Sequence, residues 1–202
     1  MGEVRGVVFD VGNVLFTWDP RFLYERLIDD DRALDAFLRD VVTHDWHFQH
    51  DAGRPFADTS AELIARYPDH RGLIELWGPH FNESVGGPVP GMLDVVDELA
   101  ARKVPLFAIT NFSGEFWADF RPTQPVFNHF RDIVVSGTER LVKPDRAIYE
   151  LALGRFGMLA EELIFIDDRA ENVAGAEAVG MRGHLFRDAD KLRRELQTLE
   201  LL

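Results

Sequence analysis

The chain has 202 residues, 46% of them hydrophobic, no cysteine, and a net charge of −13 from 22 basic and 35 acidic side chains. This is the composition of one elaborated globular domain or two small ones. It excludes disulfides and thiolate metal sites, and its acidic field disfavours nucleic acid, whose binding rests on neutralising phosphates.

The N-terminal stretch MGEVRG runs directly into a strand pattern, so no signal peptide is expected. No apolar run approaches the ~18 residues of a membrane span. The expected setting is therefore the cytoplasm, with no membrane partner.

In chain order, GVVFDV (6–11) reads as a buried strand that ends in a carboxylate, Asp10. From about residue 17 to 87 the pattern is helical throughout, in PRFLYERLI, RALDAFLRDVV, TSAELIARY and GLIELWGPHF. GGPVPG (86–91) then marks a hinge. MLDVVDELAARK (92–103) is a helix with Leu93, Val96, Leu99 and Ala100 on one face.

VPLFAIT, DIVVSG and LIFIDD are three further buried strands, and RGHLF (182–186) is a weaker fifth. Between them lie RAIYELALGRFG and AENVAGAEAVG, two helices that end in glycine. RDADKLRRELQTLELL is a terminal amphipathic helix.

Strands alternating with helices of about ten residues imply right-handed βαβ units and a parallel sheet. The expected fold is α/β: a Rossmann-like parallel sheet core, residues 1–16 and 88–202, with an all-helical cap subdomain, 17–87, inserted after the first strand. A cap of this kind sits over the carboxyl ends of the strands, where open α/β sheets bind ligands.

Residues that follow neighbouring strands are neighbours in space. Asp10 follows the first strand, Thr110 and Asn111 the second, and Asp167 and Asp168 the fourth; Lys143 follows the third and precedes a helix that Asp145 could cap. Three carboxylates at adjacent strand ends repel one another unless a cation joins them. Hard oxygen ligands with room for water suit Mg²⁺. A divalent ion and Lys143 would leave the cluster attractive to a phosphate dianion, with Thr110 and Asn111 as hydrogen-bond donors and Asp10 as nucleophile.

These four motifs, in this order, resemble the haloacid dehalogenase superfamily of hydrolases. FDVGNVLF, AITNFS, VVSGTERLVKPDRAIYE and FIDDRAENVAGAEAVGM are similar to its phosphatase branch whose first motif reads Asp-x-Gly-Asn-Val, and the resemblance includes the inserted cap. It implies an aspartyl-phosphate formed on Asp10, with Thr110 and Lys143 holding the phosphoryl group. It implies Mg²⁺ bound by Asp10, the carbonyl of Gly12 and Asp168, with Asp167 behind these ligands or reaching the ion through water, and Asn172 supporting the fourth motif. Most phosphatases of the superfamily carry a second aspartate where this chain has Gly12, and use it to protonate the leaving group.

The function this implies is hydrolysis of a small phosphorylated metabolite, a sugar phosphate among the candidates, by a monomer or homodimer. The alternatives are a metal-independent 2-haloacid dehalogenase using the same Asp10, or a binding protein weakened as a catalyst. Glycine at position 12 is read as allowing a tight turn against the ion. Water or a hydroxyl of the substrate is expected to carry the proton that the missing acid would supply, with Asp19 or a cap histidine as the other candidates. His44, His47 and His50 are spaced so that they drift around a helix by about 60° per step, and are expected to face the cleft or solvent rather than bind metal. Arg54 and Trp46 are expected to bear on substrate choice.

Overall fold

The computed structural model describes residues 3–202. Strand β1 (Gly6–Phe9) enters the sheet, and β2 (Phe16–Trp18) leaves it. Helices α1 (Pro20–Tyr24), α2 (Asp31–Asp40), α3 (His44–Asp51), α4 (Phe56–Arg66) and α5 (Arg71–Leu76) follow, and β3 (Val85–Pro88) returns the chain. Then come α6 (Met92–Ala101), β4 (Leu106–Thr110), α7 (Gly114–Phe120), β5 (Asp132–Val135), α8 (Ser136–Glu139) and α9 (Arg146–Phe156). The chain closes with β6 (Leu163–Asp167), α10 (Ala170–Glu177), β7 (Arg182–Leu185) and α11 (Ala189–Thr198).

The five main strands form one sheet in the order β5-β4-β1-β6-β7, and every pairing is parallel. This is the Rossmann-like α/β fold. After β1 the sheet grows outward through β4 and β5, then the chain crosses to the other side of β1 for β6 and β7. The reversal opens a crevice at the carboxyl end of β1.

Strand alternation sorts the core onto two faces. Val7, Phe9, Leu106, Ala108, Ile164 and Ile166 pack on one face, and Val8, Phe107, Ile109, Leu163 and Phe165 on the other. Each fully buried large side chain contributes about 1.5–3 kcal/mol, so three strands buried along their whole length make a stiff platform. The first face is continuous with the insert, because Leu23, Tyr24, Ile74 and Trp77 belong to the same apolar cluster. Helix α6 buries Met92, Val95, Val96 and Leu99, a face rotated slightly from the one expected. Gly157 ends α9 with positive φ, while α10 stops at Glu177 and Gly180 takes a positive φ in the turn beyond it.

The two chain crossings differ from expectation. GGPVPG is not a loose hinge: β3 pairs antiparallel with β2, with Phe16 opposite Pro88 and Thr17 opposite Gly87. Gly87 adopts φ +110, which a residue with a Cβ rarely reaches, and Thr17 Oγ1 donates to its carbonyl at 3.2 Å. Asp145 stands at the start of α9 but makes no side-chain cap bond. Among the described residues no helix is long and apolar enough to cross a membrane.

Candidate active site

The apolar run of β1 delivers Asp10 beside the end of β6, where its N–H donates to Ile166 O at 2.8 Å. The chain then turns sharply. Leu15 and Phe16 N–H both donate to Val11 O, and Asn13 takes the left-handed conformation with φ 55. Asparagine tolerates that region, and its side chain accepts from Trp18 N–H at 3.0 Å. Gly12 is therefore not the residue the turn requires. A Cβ built there would meet nothing within 4 Å, so the glycine leaves open space beside Asp10.

Lys143 joins the carboxylates. Its Nζ lies 2.9 Å from Asp10 Oδ1 and 2.7 Å from Asp167 Oδ2, with the side chain wholly buried. The main chain at Lys143 is held by Asn111, whose Nδ2 donates to Lys143 O at 3.0 Å while its Oδ1 accepts from Lys143 N–H at 2.8 Å. Both ends of the Asn111 amide thus bond within the protein. These bonds position Lys143 and use one of the two Nδ2 hydrogens, leaving the other for the expected donation to substrate in the cavity that Asn111 lines.

Asp167 is equally committed. It accepts from Lys143 Nζ, from Asn172 Nδ2 at 3.0 and 3.1 Å, and from Arg169 N–H at 2.9 Å. Asp10 accepts on Oδ1 alone, from Val11 N–H at 2.6 Å and from Lys143; among the described residues Oδ2 has no protein partner.

Asp10, Asp167 and Asp168 each offer an oxygen within 4.8 Å of the others. One ammonium does not balance three carboxylates, and the acidities reflect it. Burial pushes Asp10 up to about 7, with Lys143 opposing and Asp167 reinforcing. Burial, then Asp167, also raises Asp168. Burial alone would lower Lys143, but Asp10 and Asp167 outweigh it and raise it. A site of hard oxygens with unbalanced negative charge is what a divalent cation fits.

A cavity of about 130 Å³ opens above this cluster. Asp10, Gly12, Asn111, Lys143 and Asp168 line it; Thr110 and Asp167 lie behind it. Thr110 Oγ1 is buried without a protein partner among the described residues. The rest of the wall is largely aromatic: Phe16, Trp18, Phe48, Phe81, Phe112 and Phe120.

Helix α3 supplies His44, His47, Phe48 and Asp51 to the same cavity. These positions fall at i, i+3, i+4 and i+7, one face of a helix. That spacing was readable in the sequence, but the histidine repeat drew attention to a different set. His47 is buried and stacks between Trp18, at 4.8 Å between ring centroids, and Phe81, at 5.6 Å. His50 Nε2 lies 2.6 Å from Thr59 Oγ1, away from the cavity. The expectation that all three histidines face the cleft or solvent therefore holds only for His44 and His47. Burial, then the other α3 histidines, lowers His47 well below its ordinary range; burial, then Arg54, lowers His50 to about 4.

Asp51 is only 6% exposed. Burial and then Asp10 push it up to about 8, against the Ser113 N–H and Lys143. Neutral His47 lies 3.5 Å from it, so the two do not form an ion pair.

Arg54 and Trp46 do not reach the cavity. Arg54 is exposed and pairs with Glu62 at 2.6 Å, and the Trp46 indole donates to Thr59 O at 3.2 Å.

These four shifted groups predict how stability changes with pH. Asp10 and Asp51 have raised pKa values, so the folded state holds more protons than the unfolded one until pH passes about 7 and 8. Their contribution therefore falls as pH rises toward those values. His47 and His50 have lowered pKa values, so as pH falls below 6.5 the unfolded histidines take up protons that the folded ones do not, which offsets the gain from the acids. Melting of the protein in excess chelator should be nearly level just below pH 6.5 and should decline from there to pH 8.5. A rising profile over that interval would contradict the placement of Asp10 and Asp51.

Residues 4–180 match the family model of the haloacid dehalogenase-like hydrolases. The chain belongs to this family. It is 27% identical over 201 residues to the sesquiterpene phosphatase astK of Aspergillus oryzae, covering 96% of each chain. It is 28% identical to the phosphoglycolate phosphatase of Yersinia pseudotuberculosis, covering 88% of this chain and 78% of the relative. Its fold matches a HAD family enzyme of Bacteroides thetaiotaomicron solved with magnesium and inorganic phosphate. The TM-score is 0.69 and the identity 18%, over 92% of this chain and 96% of the other. The protein is thus an enzyme, a haloacid dehalogenase-like hydrolase of the phosphatase kind.

Proposed function

We propose that this haloacid dehalogenase-like hydrolase is a Mg²⁺-dependent phosphatase that hydrolyses a small phosphomonoester through a phosphorylated Asp10. The observation that carries the reading is the Lys143 ammonium lying between Asp10 and Asp167, with Asp168 converging on them at the bottom of the cavity.

Asp10 attacks phosphorus through the oxygen that has no protein partner, and the bond to the ester oxygen breaks. Water then attacks the phosphorus, releases inorganic phosphate and restores the carboxylate. Lys143 and the unpartnered Thr110 hydroxyl hold phosphoryl oxygens in the trigonal state. Asp10, Asp168 and the Gly12 carbonyl would hold a magnesium ion, and Asp167 orients Lys143 behind them. When bound, the ion neutralises the carboxylates and the charge that builds on the phosphoryl group. The structural relative solved with magnesium and inorganic phosphate supports a phosphate site in this fold.

A dehalogenation through Asp10 needs no cation and would leave the convergence of Asp168 on Asp10 without use.

The aromatic wall favours an apolar alcohol over a sugar. A sugar hydroxyl placed against Phe48, Phe81 or Phe120 rather than the polar part of the wall would lose its hydrogen bond to water, at a cost of about 1–3 kcal/mol. The sesquiterpene phosphatase among the relatives supports an apolar substrate. The insert would act as the cap that selects it.

The test is turnover of benzyl, prenyl and sugar phosphates with Mg²⁺ and in excess chelator. Activity should need Mg²⁺ and should favour the apolar esters. Phe48→Ala should lower kcat/KM for these roughly tenfold or more while affecting a sugar phosphate less. Full activity in chelator would overturn the phosphatase reading. A preference for sugar phosphates would overturn the substrate class.

A further inference from the structure

We infer that Asp51, carried into the cavity by helix α3, is the catalytic acid and base that position 12 lacks. The inference rests on the phosphatase reading and supplies a step that reading leaves open.

An alkoxide leaves phosphorus poorly unless it is protonated as the bond breaks. No side chain next to Asp10 can do this, because position 12 is glycine and the space around it is open. Of the candidates named from the sequence, Asp19, His47 and His50 do not fill the role, while His44 lines the cavity as a rival donor to Asp51. Asp19 caps α1 by accepting from Arg21 N–H at 2.8 Å and is not among the residues lining the cavity. His47 is held neutral between two aromatic rings, and His50 is bonded to Thr59.

Asp51 shares the cavity with Asp10, and its Oδ1 is buried with no hydrogen-bond partner among the described residues. A buried carboxyl left with an unsatisfied oxygen is costly, and such a cost persists where function requires it. The scaffold also fixes it from both ends. Thr43 Oγ1 caps the start of α3 by accepting from Trp46 N–H at 3.0 Å. At the other end Ser136 Oγ donates to Asp51 O at 2.6 Å and accepts from Phe112 N–H at 2.9 Å. One hydroxyl thus ties the Asp51 backbone to the loop after β4, the loop that carries Asn111. Gly137 packs so closely on His50 O that an added Cβ would lie 3.0 Å from it. These bonds fix the backbone that carries Asp51 at both ends of α3.

The charge state fits the work. With its pKa pushed up to about 8, Asp51 keeps its proton at neutral pH. The groups acting on it are the buried surroundings, Asp10, the Ser113 N–H and Lys143, with neutral His47 beside it on its own helix.

The steps balance. As the Asp10 oxygen bonds to phosphorus, the ester oxygen leaves and takes the proton of the Asp51 carboxyl. The resulting Asp51 carboxylate then takes a proton from water as the water oxygen bonds to phosphorus and the Asp10 bond breaks. Both aspartates return to their starting states.

The experiment compares Asp51→Asn with the unmodified enzyme on p-nitrophenyl phosphate and on benzyl phosphate, with Mg²⁺, under pre-steady-state conditions. Positioned proton transfer contributes about 10²–10⁴-fold. Phosphorylation by benzyl phosphate should fall by that order. The loss should be at least about tenfold smaller for the aryl ester, whose leaving group hardly needs a proton. Adding Gly12→Asp to Asp51→Asn should restore benzyl phosphate turnover at least about tenfold, since a Cβ at 12 meets no obstacle. Equal losses on both esters without rescue would make Asp51 a structural residue and overturn the inference.

The unmodified enzyme carries an independent test. Its kcat/KM for benzyl phosphate should fall as pH rises past about 8, while that for the aryl ester should fall much less. Identical profiles would overturn the inference even if no Asp51 variant folds. If the unmodified enzyme hydrolyses neither ester with Mg²⁺, the phosphatase reading itself fails, a different result from activity that Asp51 does not govern.

Discussion

Asp10→Asn is expected to fold like the parent chain and to hydrolyse phosphate esters at least about 10³-fold more slowly, the scale of removing a nucleophile from its supporting groups. The substitution keeps the shape and the backbone bonds that hold residue 10 beside β6. It removes one of three converging carboxylates, so Lys143 still has Asp167 at 2.7 Å and no buried charge is left alone. Circular dichroism should therefore be unchanged and melting in chelator at pH 8 should not fall. Turnover above about a tenth of the parent rate would mean that another group attacks phosphorus.

The largest effect on stability should come from Lys143→Met. The side chain fills a buried channel and its ammonium touches two buried carboxylates. Methionine keeps much of the volume but leaves Asp10 and Asp167 without their cation. Breaking a buried pair on one side costs about 3–5 kcal/mol, or roughly 6–20 °C in Tm for a chain of this length. The deficit should shrink as pH falls, because protonating the carboxylates removes the unpaired charge. It should also exceed the effect of any exposed pair, such as Arg54 with Glu62, which is worth at most about 1 kcal/mol. A loss under about 1 kcal/mol at pH 8 would show that the ammonium is not the cluster's main counter-charge.

Much of this was legible before any coordinates. β1, β4 and β6 announce themselves because strands buried on both faces read as unbroken apolar runs. The residues that follow them must then converge, whatever the side chains do. Asp10, Asp167 and Asp168 were legible for that reason, and Lys143 from its place after the next strand, before α9. The partners within the cluster were not. Asn111 looks like a substrate donor in sequence, but both ends of its amide also close on the Lys143 backbone, a pairing between residues 32 positions apart that no local pattern encodes.

The insert was less legible still. Its helices can be read one by one, but which face turns inward depends on tertiary packing. The stretch THDWHFQHDAGR offers two overlapping periodicities. The histidines at 44, 47 and 50 stand out by residue type, whereas the stripe at 44, 47, 48 and 51 is the one that faces the cavity. Asp51 was missed because a single aspartate near a helix end ordinarily marks a turn. Its role comes from burial, from Ser136 85 positions away, and from the space left at Gly12. The β2–β3 ribbon was missed because glycine and proline in GGPVPG read as a loop, and only Thr17 and its neighbours across the gap make that segment a strand.

The central claim is that Asp10 becomes covalently phosphorylated. The most direct measurement is acid quenching of the enzyme during Mg²⁺-supported turnover of benzyl phosphate, followed by proteolysis at low pH and mass spectrometry of the peptides. The account predicts one phosphoryl group on the peptide that contains Asp10, absent in Asp10→Asn and accumulating to a higher level in Asp51→Asn turning over p-nitrophenyl phosphate. Steady turnover with no phosphorylated peptide, or a phosphoryl group on any other residue, would contradict it.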